Sequence, residues 1–189
     1  MKIGLLALQG DYARHEDIIR QLGWETQLVR YPKQLDALDG LVIPGGESTT
    51  MTKLIKASRF RAPILDFAQH ASILGTCAGL IMLGNKQIDS QIDTFELINV
   101  EVERNAYGRQ VFSFDEQIQV NVGDETQSIT ATFIRAPRIT ATGANVEILA
   151  SHNGFPAAVR QGRHIGLTFH PELDDITLFH EFAFGRQGI

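Results

Sequence analysis

Cysteine is almost absent from this chain. One occurs in 189 residues, Cys77, so no disulfide can close within it. That excludes a disulfide-stapled secreted scaffold and fits a reducing cytoplasm. A lone Cys and six scattered His residues also give no zinc-ligand spacing, so no metal is expected. Long hydrophobic runs are missing too. The longest near the start, residues 3–8, is interrupted by Gly4 and is too short for a signal peptide or a membrane span. No block of like charge occurs, and 17 basic residues against 22 acidic ones leave a net charge of −5. An acidic chain without a basic run is unsuited to wrapping nucleic acid. Low-complexity tracts, repeats and linker-like stretches are absent as well. What is present is 43% hydrophobic and 21% charged residues, the balance of a chain with a proper core. One domain over residues 1–189 is expected.

The first half alternates strand and helix signals. Residues 2–8 form a short apolar run typical of a strand buried on both faces. Asp11 is a possible N-cap, Ile18, Ile19 and Leu22 follow at helical spacing, and Gly23 is a stop. Residues 25–30 and Gly40–Ile43 read as strands. Ser48 can cap a helix carrying Met51, Leu54 and Ile55. Residues 63–68 read as a helix with Pro63 in its first turn. Residues 72–75 read as a buried strand, and Ala78–Leu83 as helix. Such alternation implies a parallel sheet covered on both faces. From residue 95 to 169 the pattern changes to short strand-like runs at 97–102, 118–122, 129–134, 146–150, 157–160 and 164–169. These are expected as antiparallel strands that extend or flank the sheet. A last helix is expected after Pro171, with Ile176, Leu178, Phe179 and Phe182 as its apolar positions.

Three clusters can carry chemistry. Gly75-Thr76-Cys77-Ala78-Gly79 places Cys77 between a buried strand and a helix. A sharp turn there forces strained backbone angles, and flanking glycines avoid collision. The helix N-terminus favours thiolate, and the Ala78 amide points toward a developing oxyanion. The same pattern also suits a small buried core Cys. His170-Pro171-Glu172 ends a strand, and in extended backbone residues i and i+2 share a side, so Glu172 can orient His170. It reads equally as a turn in which Glu172 favours the next helix dipole. Pro44-Gly45-Gly46-Glu47-Ser48 lets backbone approach a ligand, and Gly46 can offer a second oxyanion donor. A tight turn explains it too, and the Gly-Lys-Ser/Thr ending of a phosphate loop is missing. Arg104 and Arg135 can each grip a carboxylate, or lie as solvated surface groups. His15, His70, His152, His164 and His180 read as surface or structural.

Taken together, these stretches resemble a known family, the glutaminase subunits of pyridoxal 5′-phosphate synthase, which are class I (triad-type) glutamine amidotransferases. The resemblance is carried by Ala7-Leu8-Gln9-Gly10, by the run from Leu41 through Pro44-Gly45-Gly46-Glu47-Ser48 to Thr50, and by Gly75-Thr76-Cys77-Ala78-Gly79-Leu80-Ile81. It continues in Arg104-Asn105-Ala106-Tyr107-Gly108-Arg109-Gln110, Phe133-Ile134-Arg135-Ala136-Pro137 and Phe169-His170-Pro171-Glu172-Leu173. Two departures stand out. Gln69-His70-Ala71-Ser72 replaces the usual Gly-Lys-Pro turn, and the chain after Leu173 is one residue shorter than is common.

The resemblance implies a three-layer, flavodoxin-like α/β fold with a mostly parallel central sheet and added antiparallel strands. It implies Cys77 as nucleophile, His170 as base and Glu172 as its partner. It implies an oxyanion hole from the Gly46 and Ala78 amides, and L-glutamine contacts from Gly46, Glu47, Ser48, Arg104, Ile134 and Arg135. Gln9 would lie near the site and the partner contact. The activity implied is hydrolysis of L-glutamine to L-glutamate and ammonia, without cofactor. The implied partner is the barrel-shaped synthase subunit that consumes the ammonia. Two other readings stand beside it: a γ-glutamyl hydrolase-like cysteine hydrolase, and a catalytically silent regulatory subunit.

Overall fold

A computed structural model describes residues 1–85, 91–104, 113–123 and 125–185. The alternating half forms β1 (Lys2–Leu6), α1 (Tyr12–Gln21), β2 (Glu25–Val29), β3 (Gly40–Ile43), α2 (Ser48–Ala57), α3 (Arg61–Ala68), β4 (Ser72–Thr76) and α4 (Ala78–Leu83). Then come β5 (Val100–Glu103), β6 (Ser113–Val122), β7 (Glu125–Ile134), β8 (Arg138–Thr142), β9 (Glu147–His152), β10 (Phe155–Gln161), β11 (His164–Leu167) and α5 (Leu178–Phe184). Nine strands make one sheet in the order β2-β1-β3-β4-β11-β10-β9-β6-β7. The first five are parallel, and the last four continue the sheet in antiparallel fashion. β5 and β8 pair separately. The expected mostly parallel sheet with antiparallel additions is therefore present.

The apolar runs behave as strands because both faces are covered. Leu6, Leu41, Ile43 and Ile73 point to one face, where they pack with Met51, Phe67 and Leu80 from α2, α3 and α4. Ile3, Leu5, Val42 and Leu74 point to the other, against Ile19 of α1 and Phe179 and Phe184 of α5. Two-residue alternation thus divides one continuous hydrophobic run between two cores.

Several boundaries differ from expectation, each for a local reason. β1 stops at Leu6, although Ala7 still donates its N–H to Val29 at 3.0 Å. α2 is capped by Glu47, whose carboxylate takes the N–H groups of Thr49 and Thr50; Ser48 is its first helical residue. Asp11 flanks α1 but makes no side-chain cap bond. β6 starts earlier than residue 118 and β7 earlier than residue 129. The two pair over ten residues, many of them polar and exposed, so hydrophobicity does not mark their outer halves. β8 and a 3₁₀ turn at Pro32–Ala37 lack a clear periodic signal. After Pro171 comes a 3₁₀ turn, Pro171–Leu173, and the last helix begins only at Leu178. Phe179 is buried in it as expected. Ile176, Leu178 and Phe182 are partly buried, and His180, Ala183 and Phe184 take the interior positions.

The two family departures are accommodated by short contacts. His70 and Ala71 both donate to the Phe67 carbonyl, closing α3 directly before β4. Asp174 accepts from the Thr132 amide at 2.9 Å and from its hydroxyl at 2.8 Å. The chain then turns at Asp175 with a positive φ of 53°.

Candidate functional site

Parallel strands deliver their following residues to one edge of the sheet, so candidate groups collect where those strands end. Gln9 follows β1, Gly45 and Gly46 follow β3, Cys77 follows β4, and His170 follows β11. Ile134 ends β7, and Arg135 comes directly after it. An open cavity of about 830 Å³ lies there, lined by Gly46, Cys77, Arg104, Arg135 and His170 among others. Glu47, Ser48, Ala78 and Ile134 also border it. Gln9 stands behind the Gly46 loop, its carbonyl accepting the Glu47 N–H at 3.1 Å. Residues 105–110 of the Arg-Asn-Ala-Tyr-Gly-Arg-Gln string lie outside the described residues.

Cys77 sits between β4 and α4 with φ 50° and ψ −103°, the strained turn its glycine neighbours suggested. A Cβ at Gly75 would come within 2.7 Å of Gly79 backbone, and one at Gly79 would collide with the Ile43 carbonyl. The glycines therefore let α4 press against β3 and β4, which fixes where the elbow points. The Cys77 amide donates to Leu167 at 2.8 Å, tying the elbow to the strand that carries His170. Its Sγ lies 3.9 Å from the Ile134 carbonyl.

His170 donates its own amide to Thr132 at 2.9 Å. Its Nδ1 is 2.7 Å from Glu172 Oε1. The expected common side is real, but its cause differs. His170 is near-extended (φ −115°, ψ 83°), and Pro171 starts a 3₁₀ turn that swings Glu172 back under the ring. Burial opposes charge on His170. Hydrogen bonding to Cys77, with the bond and charge of Glu172, overcomes it and raises the pKa from 6.5 to about 10. Burial also pushes the Glu172 carboxyl up, but His15 and His170 outweigh that and hold it well below the ordinary carboxylate range. The arrangement therefore favours an imidazolium backed by a carboxylate, facing a sulfur at a helix N-terminus.

The loop after β3 is shaped by contact. A Cβ on Gly45 would strike the His170 ring, and one on Gly46 (φ 146°) would press on the Gln9 amide. Glu47 bonds Thr49 N–H at 3.0 Å and Thr50 N–H at 2.6 Å. Arg104 stands 3.4 Å from the same carboxylate and 3.3 Å from Thr49 Oγ1. Although burial pushes the Glu47 carboxyl up, hydrogen bonds from Thr49 and Thr50 lower its pKa from 4.5 to about 2. Arg135 holds a positive φ of 43°, so its strained backbone presents it at the cavity.

Sequence reasoning missed the groups behind the site. His15 and His180 are fully buried, His15 beside Glu172 and His180 behind His15, and Asp174 pins β7 to the turn after His170. His152 and His164 are buried as well, and His70 is exposed. A signal did exist. His15 lies on the same helical stripe as Ile18 and Ile19, where a polar side chain needs an internal partner.

Known proteins share this sequence and fold. A family model described as the SNO glutamine amidotransferase family matches residues 5–187. The chain is 43% identical to pyridoxal 5′-phosphate synthase subunit PdxT of Thermosipho africanus, covering 96% of both chains. It is 44% identical to the protein of the same name from Bacillus velezensis, covering 93% of this chain and 89% of that one. A crystal structure of a glutamine amidotransferase superposes with a TM-score of 0.88 at 37% identity, over 95% of this chain and 96% of that one. The structure of PurLQS from Thermotoga maritima shares the fold at TM-score 0.74 and 14% identity, over 96% of both chains.

Proposed function

The chain belongs to the SNO glutamine amidotransferase family, and from that premise we propose that Cys77, His170 and Glu172 release ammonia from L-glutamine for a pyridoxal 5′-phosphate synthase. The observation that carries this reading is the 2.7 Å His170–Glu172 contact at a cavity shared with Cys77. The Cys77 thiolate attacks the side-chain carboxamide, forming a C–S bond. The amides of Gly46 and Ala78 hold the oxyanion, each such donor being worth about 3–4 kcal/mol in comparable sites. His170 gives its proton to the departing nitrogen as the C–N bond breaks. It then takes a proton from water, which attacks the thioester and frees glutamate and the thiolate. Glu172 holds the imidazole in register and supports its charge.

Glutamine is held by Gly46, Glu47, Ser48, Arg104, Ile134 and Arg135. An arginine suits the α-carboxylate because its fork can donate two parallel hydrogen bonds. Side chains and backbone amides supply the whole reaction, and no cofactor is invoked. Ammonia released into neutral water would be protonated and lost to an acceptor, so the reading includes a synthase subunit in contact, with Gln9 near that contact. The relatives named as synthase subunits support this partner. We read residues 1–189 as one amidotransferase domain working in the cytoplasm. No described helix is long and apolar enough to cross a membrane.

The test is ammonia release from L-glutamine with and without the synthase subunit, beside a γ-glutamyl peptide as competing substrate. Hydrolysis of glutamine that rises on adding the synthase and vanishes in Cys77→Ala is expected. Activity surviving in Cys77→Ala would overturn the nucleophile, and preference for the peptide would favour the γ-glutamyl hydrolase reading.

A further inference from the structure

Behind Glu172 lies a set of polar side chains that this mechanism does not use. His15 on α1 and His180 on α5 are both 0% exposed. Their rings are tilted by 53° with centroids 5.2 Å apart, and His15 Nδ1 is 2.9 Å from His180 Nε2. The other face of His15 looks at the site. Its Nε2 is 3.3 Å from Thr76 Oγ1 and 3.5 Å from Glu172 Oε1. One ring therefore touches both the residue before the nucleophile and the carboxylate that orients the base. α1 and α5 meet this spot from separate parts of the chain, 165 positions apart at the two histidines.

We propose that His15 is a positioning residue for the triad: its ring, braced by His180, holds Glu172 against His170 and couples it to the Cys77 elbow through Thr76. The inference rests on the triad reading above.

A buried carboxylate is costly unless its oxygens are satisfied. Glu172 is 1% exposed, and its Oε2 has no hydrogen-bond partner among the described residues. Its charge thus depends on what faces Oε1, namely His170 and His15. His15 cannot swing away, because its second nitrogen is engaged with His180. At 3.5 Å the contact with Glu172 is electrostatic and steric and not a short hydrogen bond. That suits a brace that limits carboxylate rotation without competing with His170. The titratable groups facing Glu172 are His15 and His170. Those facing His15 are Glu172 and His180, and Cys77 stands beyond His170. Burial, then the charge of His15, lowers the His180 pKa from 6.5 to about 3, which keeps that ring neutral at pH 7. A neutral His180 can serve as a hydrogen-bonding strut without adding a second charge.

The test compares His15→Gln, His15→Asn and His15→Leu in the full chain, with the synthase subunit present. Glutamine side-chain nitrogen reaches where Nε2 stands and can donate toward Glu172. Asparagine matches only the Nδ1 side, toward His180. The inference expects kcat for glutamine to fall at least tenfold in His15→Leu and His15→Asn. KM should stay within about twofold, and His15→Gln should retain at least five times the kcat of His15→Asn. It also expects the acid limb of the kcat–pH profile to move to higher pH in His15→Leu and His15→Asn, because Glu172 loses a stabilising neighbour. If His15→Leu does not fold, judged by its thermal melt, the Gln and Asn variants decide alone. Equal kcat in those two, an unmoved acid limb, or a change confined to KM would overturn the inference. Cys77→Ala is measured in parallel. Its inactivity beside a fully active His15→Asn refutes the brace alone, whereas its activity refutes the triad reading itself.

Discussion

His170 Nδ1 and Glu172 Oε1 stand 2.7 Å apart with only Pro171 between the two residues in sequence. Proline makes that contact by starting a tight turn, so the carboxylate returns beneath the ring. The carboxylate is almost fully buried, so its partnership with the imidazole is not diluted by water. Glu172→Gln keeps the shape and removes the charge. Its kcat should fall by roughly 10²- to 10⁴-fold, the upper end matching loss of the orienting carboxylate in a related triad. KM for glutamine should change little. Steady-state kinetics with the synthase subunit checks this, and a kcat within threefold of wild type would count against Glu172 as orienter.

Three buried histidines predict opposing pH effects on stability. For His164, burial and then the charge of Arg163 lower the pKa from 6.5 to about 4. For His180 burial leads again, and the value falls to about 3. A base with a depressed folded pKa contributes stability above its unfolded pKa that is lost as pH falls through the folded value. Both therefore weaken the fold as pH drops from 6.5 toward 4 and 3. His170 acts oppositely. Its raised pKa, about 10, gives stability fully present below 6.5 and lost as pH rises toward 10. Urea unfolding of wild type and His164→Leu at pH 7 and pH 5 separates the first effect. The variant should lose less stability between the two pH values.

Much of this site is legible before folding, and the reasons are local. Cys77, His170 and Glu172 stand in strings whose glycines and proline dictate backbone shape, and backbone shape places the side chains. Gly40–Ile43 and Ala78–Leu83 begin and end where hydrophobicity and glycine say they should. The brace behind Glu172 is different. It depends on α1 and α5 meeting across one face of the sheet, and no short string records that meeting. The early starts of β6 and β7, before residues 118 and 129, are hidden for the reverse reason. Backbone pairing and cross-strand polar bonds such as Gln117 to Thr130 hold their exposed residues, while Ile118, Val120, Ala131 and Phe133 are buried in alternation. Glu47 is a third case: Ser48 is the commoner cap residue, but the longer carboxylate reaches two amides at once.

Gly45 and His170 predict a kinetic effect from one added methyl group. A Cβ at Gly45 would strike the imidazole Cε1 and come within 3.2 Å of Nδ1. The ring is held at Nδ1 by Glu172, so it cannot shift without spoiling the triad contact. Gly45→Ala should therefore lower kcat strongly, since a displacement near 1 Å at a reacting group can cost about 10²-fold. The thermal midpoint should move less than kcat suggests. A variant with wild-type kcat would mean that the loop, and not the imidazole, gives way.

Glu47 joins stability to the shape of the glutamine site. Its carboxylate caps α2 through Thr49 and Thr50 while standing 3.4 Å from Arg104. The Arg104 pair is partly exposed, so salt screens it and its contribution is small. The cap dominates: Glu47→Ala should cost about 0.5–2 kcal/mol, measured by urea unfolding at pH 7. The folded pKa is depressed to about 2 from 4.5, so the carboxylate stabilises above 4.5 and that contribution is lost as pH falls toward 2. The stability gap between wild type and Glu47→Ala should therefore narrow over that range. It should persist in high salt, because amide-to-carboxylate bonds at a helix end are short-range. A gap that salt abolishes would instead assign the stabilisation to Arg104.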